Sequence, residues 1–553
     1  MRNHGANLRN NVIIFFVASL LFIPFLGAVH LFDWDEINFA ESAREMIASR
    51  NYFLVQINYL PFWEKPPLFI WMQVLSMKIF GINEFAARFP NAVCGIVTLL
   101  VLFNIGRKFI NEKFGWIWIL TYAGSLLPHF YFKSGIIDPW FNLFIFLGIF
   151  YFILFSRPLI ANAEKPKLRL LTFSAIFIGL AILTKGPVAL LIFILCFLVY
   201  WISLRFEKLL SLKQILFFSF LVLLVGGSWF LLLILNGDGG LIKEFIRYQV
   251  RLFTTGDAGH GGSFFYHWIV LLFGCFPMSV IALQSFKRNT NDAPVEAYFR
   301  KWMLIIFWVV LILFSVVKTK IIHYSSLCYF PLSFLATYVI IRLIDGRLAW
   351  RKFVGVMLMS LAVVLGILIS CLPVIDYYKS KIIAAGMIKD KVAVECLRAN
   401  VAWSGFEWLI GMGLIVGIAW MLVLIYQRRT QTALIGIFLV SLVTANIAMT
   451  VIVPRVEQYS QAAAIRFYQS LKGKDCYVAT LRFKSYAQFF YQAKKPPENK
   501  NSYNTDWLLS GPIDKPAFFV CKIDRVADIT GQYPQLKELY RENGFVFFVR
   551  YPS

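Results

Sequence analysis

Apolar residues in this chain fall in long runs separated by short polar intervals. Such runs lie near residues 12–30, 85–106, 114–132, 139–156, 170–184, 187–204 and 214–235, and then near 264–285, 302–317, 324–344, 353–373, 405–426 and 432–453. A helix that crosses a bilayer needs roughly 20 apolar residues, so the pattern predicts a polytopic α-helical membrane protein with about 13 spans. The first run follows Arg2 and Arg9, and no small-residue cleavage site ends it. It is expected to be a retained span and not a leader.

The polar intervals set the orientation. Arg107, Lys108 and Lys113, then Arg157, Lys165, Lys167 and Arg169, then Arg205, Lys208 and Lys213 lie on one side. Lys287, Arg288, Arg300 and Lys301, then Arg347, Arg351 and Lys352, then Arg428 and Arg429 continue the series. Basic short loops mark the cytoplasmic side. The opposite loops are less basic but hold Lys65, Lys185, Arg251 and Lys318. Two of them are long, at about 31–84 and 236–263. In the first, Trp34–Ala48 reads as a helix opened by a capping-box-like Asp33-Trp34-Asp35-Glu36. Lys65–Phe80 reads as a second, aromatic helix, and both are expected to lie along the membrane surface. From Pro454 the chain turns polar. A helix over Val456–Leu471 and strands at Cys476–Thr480, Ala517–Ile523 and Phe545–Tyr551 predict a small extracytoplasmic α/β domain. The expected division is a transmembrane domain over 1–453, with the active site in the first outer loop, and an α/β domain over 454–553.

Composition narrows the class. The chain is 59% apolar and 17% aromatic but only 15% charged, against about 25% charged in soluble domains. A soluble multidomain enzyme, a disordered chain and a fibrous protein are excluded. The 54 Lys+Arg against 30 Asp+Glu leave a net charge of +24. With no basic helix, zinc-finger spacing or aromatic–basic interleaving, the excess points to topology, membrane lipids and phosphate ligands, and not to nucleic acid. The eight cysteines form no Cys-x-x-Cys pair. Cys94, Cys196, Cys275, Cys328 and Cys371 read as packing residues, whereas Cys476 and Cys521 could pair in an oxidising compartment.

Candidate chemistry gathers on the outer side. Asp35 and Glu36 stand at a predicted helix N-terminus where Asp33 already offers a cap. Glu64 and Lys65 precede Pro66-Pro67, which stiffens the turn and suits a grip on a phosphate or metal. Asp138, in Gly135-Ile136-Ile137-Asp138-Pro139, either caps the following span or is functional, since a carboxylate at membrane depth is costly. Lys185 occupies a very short turn before Gly186-Pro187. Lys318, Lys320, His323 and Tyr324 share another turn. Arg247, Arg251, His260 and His267 fall in or beside the second long loop, with His260 among glycines that permit close approach. No nucleotide-binding or protease signature is present.

These motifs resemble a known family. The run Asp35-Glu36-Ile37-Asn38-Phe39-Ala40-Glu41-Ser42-Ala43-Arg44-Glu45 and the run Phe62-Trp63-Glu64-Lys65-Pro66-Pro67 resemble the first outer loop of the lipid A 4-amino-4-deoxy-L-arabinose transferases (ArnT-like enzymes). That family is grouped with the protein O-mannosyltransferases among GT-C integral-membrane glycosyltransferases. Ile137-Asp138-Pro139, Thr184-Lys185-Gly186-Pro187, the Arg251–His260 loop and Lys320-Ile321-Ile322-His323-Tyr324 follow in the family's order. The resemblance implies a polyprenyl-phosphate-linked sugar donor, usually undecaprenyl phosphate, with no nucleotide cofactor. It implies Asp35 and Asp138 as catalytic carboxylates, supported by Glu36 and His323. Lys65, Lys185, Arg251 and Tyr324 would bind the donor phosphate. Glu64 and His260 would be candidates for a divalent metal (Zn, Mg or Mn). Asn38 stands where the family commonly has Arg, and Phe62 where Tyr is common. The implied reaction is inverting transfer of aminoarabinose or a hexose to lipid A, another glycan or a protein hydroxyl. It would occur on the periplasmic face of a bacterial inner membrane, where the C-terminus is also expected. The competing readings are a lipid-linked substrate flippase, which predicts repeats and broken charged spans, and a non-catalytic lipid-binding scaffold.

Overall fold

The structure is a computed structural model that describes residues 2–156, 167–256, 261–286 and 292–552. Among these, eight helices are long and apolar enough to cross a membrane, or up to ten if each of two bent pairs is one span. The chain is therefore a polytopic helical membrane protein. The predicted runs all fall on helices, but several are shorter or broken. The first helix ends at Phe22, because Pro24 cannot continue it. The 114–132 run divides into Glu112–Ala123 and Leu126–Tyr131. Leu212–Gly226 and Ser228–Leu235 meet at 57°, where a β-carbon on Gly227 would come within 2.4 Å of the Leu223 carbonyl oxygen. Tyr266–Gly274 and Met278–Ser285 meet at 111°, with Pro277 at the break.

Burial sorts the helices. Ile322–Ile344 and Asp138–Ser156 are central, with 94% and 78% of their apolar windows buried, whereas Lys352–Ala384 and Trp408–Tyr426 are buried over only 28%. Exposed Leu368, Val416 and Trp420 on the last two suit a lipid surround, where an apolar face costs nothing. In the centre, Phe146 stacks on Phe330 at 4.5 Å and the Trp118 indole donates to the Ser333 hydroxyl at 3.0 Å.

The first outer loop forms the Asp35–Ser49 helix, the two-residue strands β1 (Gln56–Ile57) and β2 (Leu60–Pro61), and the Leu68–Phe80 helix. The Asp35–Ser49 helix buries every residue from Glu36 to Met46. That is deeper than the surface helix expected from its polar content. The reason is pairing: Arg44 donates both Nε and Nη2 to Glu41 at 2.6 Å. Segments after residue 453 cover it. Trp34 stacks on Tyr486 at 5.2 Å, the Leu31 N–H donates to the Tyr491 hydroxyl at 2.7 Å, and the Tyr59 hydroxyl donates to the Lys494 carbonyl at 2.8 Å.

Beyond Val453 come helices Val453–Ser460 and Ala462–Ser470 and a sheet of β3 (Tyr477–Leu481), β4 (Ala517–Lys522), β5 (Lys537–Glu542) and β6 (Phe545–Arg550). The order is β3-β4-β6-β5, with β3 parallel to β4 and the other pairs antiparallel. The sequence reading lacked β5, which is a charged edge strand, exposed at most positions, without an apolar face to mark it. Both Cys476 and Cys521 are free thiols, contrary to the pairing considered above. Cys521 pairs in register with Leu481, whereas Cys476 precedes the opposite end of β3. At about 3.3 Å per residue, the two lie far beyond the roughly 7 Å Cα limit of a disulfide.

Candidate active site

Five separate elements deliver the candidate residues. Helices Asp138–Ser156 and Leu168–Lys185 pack against each other as a hairpin. They are of near-equal length, so the first residue of one meets the last residue of the other. Asp138 sits at a helix N-terminus and Lys185 at a helix C-terminus, each the favourable sign for its end of the dipole. Asp138 caps no backbone N–H; its Oδ1 instead accepts from Lys185 Nζ at 2.6 Å. The turn after Lys185 needs Gly186, which has φ +102° and where a β-carbon would meet the Phe245 ring at 2.7 Å.

His323, at the start of the Ile322–Cys328 3₁₀ segment, bridges the two carboxylates. Its Nε2 lies 3.2 Å from Asp35 Oδ2 and 3.7 Å from Asp138 Oδ2. Asp138 Oδ2 is buried and takes no hydrogen bond, so one oxygen of this carboxylate faces the site without a short-range donor. The Lys185 ammonium also lies 5.0 Å from the Tyr324 ring. Lys65 stands on the turn before Pro66, with Nζ 5.0 Å from the Tyr248 ring. Burial pulls the Lys65 ammonium below the usual lysine range, while Glu64 and Asp35 oppose the shift. A desolvated ammonium of this kind gains most from an anionic ligand.

Glu36 is committed elsewhere. Arg88 donates Nε and Nη2 to it at 3.0 and 2.8 Å, and the Phe32 and Gly135 N–H groups add bonds of 2.8 and 2.5 Å. Burial pushes this carboxyl up, but Arg88 and the two N–H donors outweigh it and hold it below the usual carboxylate range. Glu36 thus fixes the backbone beside Asp35 and has no oxygen to spare for chemistry. The predicted capping box does not form: Trp34, with no side-chain cap, precedes the helix, while Asp33 turns to Ser485 and the Tyr486 backbone.

Asp35, Glu36, Glu64, Lys65, Asp138, Lys185, His323 and Tyr324 line one cavity of about 680 Å³. Arg251 does not line it. It is exposed and reaches the site through Tyr248, whose ring lies 5.2 Å from its guanidinium. His260 lies outside the described residues. Among those described, no three His, Cys, Asp or Glu side chains gather to hold a metal, and Glu64 alone does not make such a site. The sequence reading missed Tyr248, Tyr131, Arg88 and Lys133, all of which line the cavity. Lys133 carried a usable signal, a lysine five residues before Asp138 in an outer segment.

Comparison with known proteins places the fold and finds relatives in sequence. Residues 64–232 match the family model for dolichyl-phosphate-mannose-protein mannosyltransferase. An undecaprenyl phosphate-α-4-amino-4-deoxy-L-arabinose arabinosyl transferase from Shewanella sediminis is 26% identical over 344 residues, covering 62% of this chain and 61% of that one. The like-named enzyme of Wigglesworthia glossinidia brevipalpis is 27% identical over 334 residues, covering 58% and 57%. The match thus spans about three-fifths of these relatives. The crystal structure of ArnT from Cupriavidus metallidurans bound to undecaprenyl phosphate superposes over 97% of both chains with TM-score 0.76 at 17% identity. Its apo form gives TM-score 0.73 at 16% identity. This chain has the ArnT fold and is similar in sequence to arabinosyl transferases.

Proposed function

We propose that the chain is an inverting glycosyltransferase that moves a sugar from a polyprenyl-phosphate donor to an envelope acceptor such as lipid A. The proposed setting is the outer face of a bacterial inner membrane, with the cavity and C-terminus periplasmic. The observation that carries the reading is the gathering of Asp35, Asp138, His323, Lys65 and Lys185 around one cavity. A transfer between two anionic amphiphiles needs cations for the leaving phosphate and carboxylates beside the anomeric carbon.

An acceptor oxygen attacks C1 of the sugar, and the C1–O bond to the donor phosphate breaks. The electron pair leaves on that phosphate, and the configuration at C1 inverts. The departing phosphate is stabilised by Lys65 and, across the shared Asp138 ion pair, by Lys185. Tyr248 and Tyr324 form the ring walls on which the two ammonium groups rest, and Arg251 adds charge at the mouth. A phosphate acceptor arrives ionised and needs no base. A hydroxyl acceptor would pass its proton to Asp35, with His323 setting that carboxylate's orientation. The match of residues 64–232 to protein mannosyltransferases keeps a protein hydroxyl as the second acceptor reading. A divalent ion shared by Glu64 and His260 is a separate proposal, checked by metal analysis of wild type against E64A.

The test is reconstitution in liposomes with undecaprenyl-phosphate-linked aminoarabinose or mannose, and with lipid A or a serine-rich peptide, read by mass spectrometry. The expected product is lipid A heavier by one aminoarabinose, absent for D35N and D138N. Full transfer by both variants, or none by wild type with any donor–acceptor pair, would overturn the proposal.

A further inference from the structure

Lys133 is a cation in the cavity that neither the mechanism above nor the Glu36–Arg88 pair uses. It follows the Leu126–Tyr131 helix, is 6% exposed, and lines the same cavity as Asp35 and Asp138. Its ammonium donates to the Pro24 carbonyl at 3.0 Å. Among the described residues no carboxylate pairs with it, and burial alone draws its pKa down to about 8. Lys65, by contrast, lies within electrostatic reach of Glu64, Asp35, Lys185 and Asp138. Lys133 stands beyond the electrostatic reach of those four groups. A buried ammonium satisfied by one carbonyl is costly unless an anion completes its shell.

The same cavity is also lined by the apolar Phe25, Leu26, Phe130, Met449 and Val453, beside the mutually paired Glu36 and Arg88. Phe25, at the rim, is 67% exposed. A buried cation without a carboxylate partner, in a cavity with this apolar lining, suits a ligand with an anionic head and hydrocarbon chains. The donor phosphate already has Lys65 and Lys185 beside the carboxylates, and a transfer reaction must hold a second substrate.

We propose that Lys133 anchors a phosphate group of the acceptor, so that the cavity selects phosphorylated amphiphiles over protein hydroxyls. This rests on the transferase reading, but its test does not require turnover. The full-length protein in detergent is titrated with bisphosphorylated lipid A, with lipid A stripped of its phosphates, and with undecaprenyl phosphate. Binding is followed by intrinsic fluorescence or native mass spectrometry. For K133M we expect at least tenfold weaker binding of bisphosphorylated lipid A and unchanged binding of undecaprenyl phosphate. K133R should restore most of the affinity, and unchanged undecaprenyl phosphate binding shows that K133M is folded. Equal affinity of K133M and wild type for bisphosphorylated lipid A would overturn the assignment, as would equal affinity of wild type for the phosphorylated and stripped forms. Loss of undecaprenyl phosphate binding alone would move Lys133 to the donor site and also overturn it. If the binding pattern holds while wild type transfers no sugar, the transferase reading fails and the phosphate site stands.

Discussion

Replacing Lys185 by Met tests the hairpin that builds the site. The Lys185 and Asp138 side chains are 12% and 3% exposed, and their contact is 2.6 Å. Met keeps most of the aliphatic stem and removes the charge, leaving Asp138 buried with the His323 Nε2 at 3.7 Å in place of an ammonium. Losing one member of a buried ion pair costs about 3–5 kcal/mol, because the partner stays buried and uncompensated. For a chain of this size, that corresponds to an apparent Tm loss on the order of 3–4 °C. D138N alone should cost a similar amount, since it strands the lysine. The double variant K185M/D138N strands neither, so its loss should fall short of the sum by about 1–3 kcal/mol. The assay is thermal unfolding in detergent followed by tryptophan fluorescence, with all four proteins under one detergent and one scan rate. Strict additivity within about 0.5 kcal/mol would refute the reasoning, because it would mean that the two side chains do not interact in the folded protein. Transfer activity of K185M should fall by on the order of 10²–10³, the effect of one lost charge stabiliser.

Three further outcomes follow from the same geometry. R88M leaves Glu36 buried without its guanidinium and should destabilise by about 3–5 kcal/mol. E36Q/R88M should recover part of that loss in the same unfolding assay, and full stability of R88M would refute the bracing role of the Glu36–Arg88 pair. Glu45 is pushed up to about 9 by burial and by neighbouring Glu41, so the folded state holds a proton there that the unfolded chain, near 4.5, has released. Stability should therefore fall as pH rises between about 4.5 and 9, and E45Q should flatten that slope; an unchanged slope of apparent Tm against pH would refute the assignment. Non-reducing denaturation followed by maleimide labelling should modify both Cys476 and Cys521, and a protected pair of thiols would refute the strand register.

How much was legible beforehand differs by residue. Asp138, Lys185 and Lys65 stood out because charges beside apolar runs are few and expensive, so each invites an explanation from its position alone. Glu36 looked like a partner of Asp35 in the site, yet it turns to Arg88, a residue 52 positions away. Lys133 had the same anomaly of position as Lys65 and no motif to advertise it. The β5 strand escaped because an exposed edge carries no apolar alternation. Run lengths overstated the regularity of the spans, since a Gly or Pro in an apolar stretch bends a helix without altering its hydrophobicity.

The amino-acid order by itself determines that this is a multi-pass helical membrane protein, where its apolar helices lie and which outer segments hold charge. Those properties depend on local hydrophobicity and on the cost of placing a charge in lipid. Only the tertiary structure decides which carboxylate does chemistry and which is spent on a brace. That choice depends on which helix termini become neighbours, and an ionic contact acts over a few ångströms between residues that can be hundreds of positions apart in the chain.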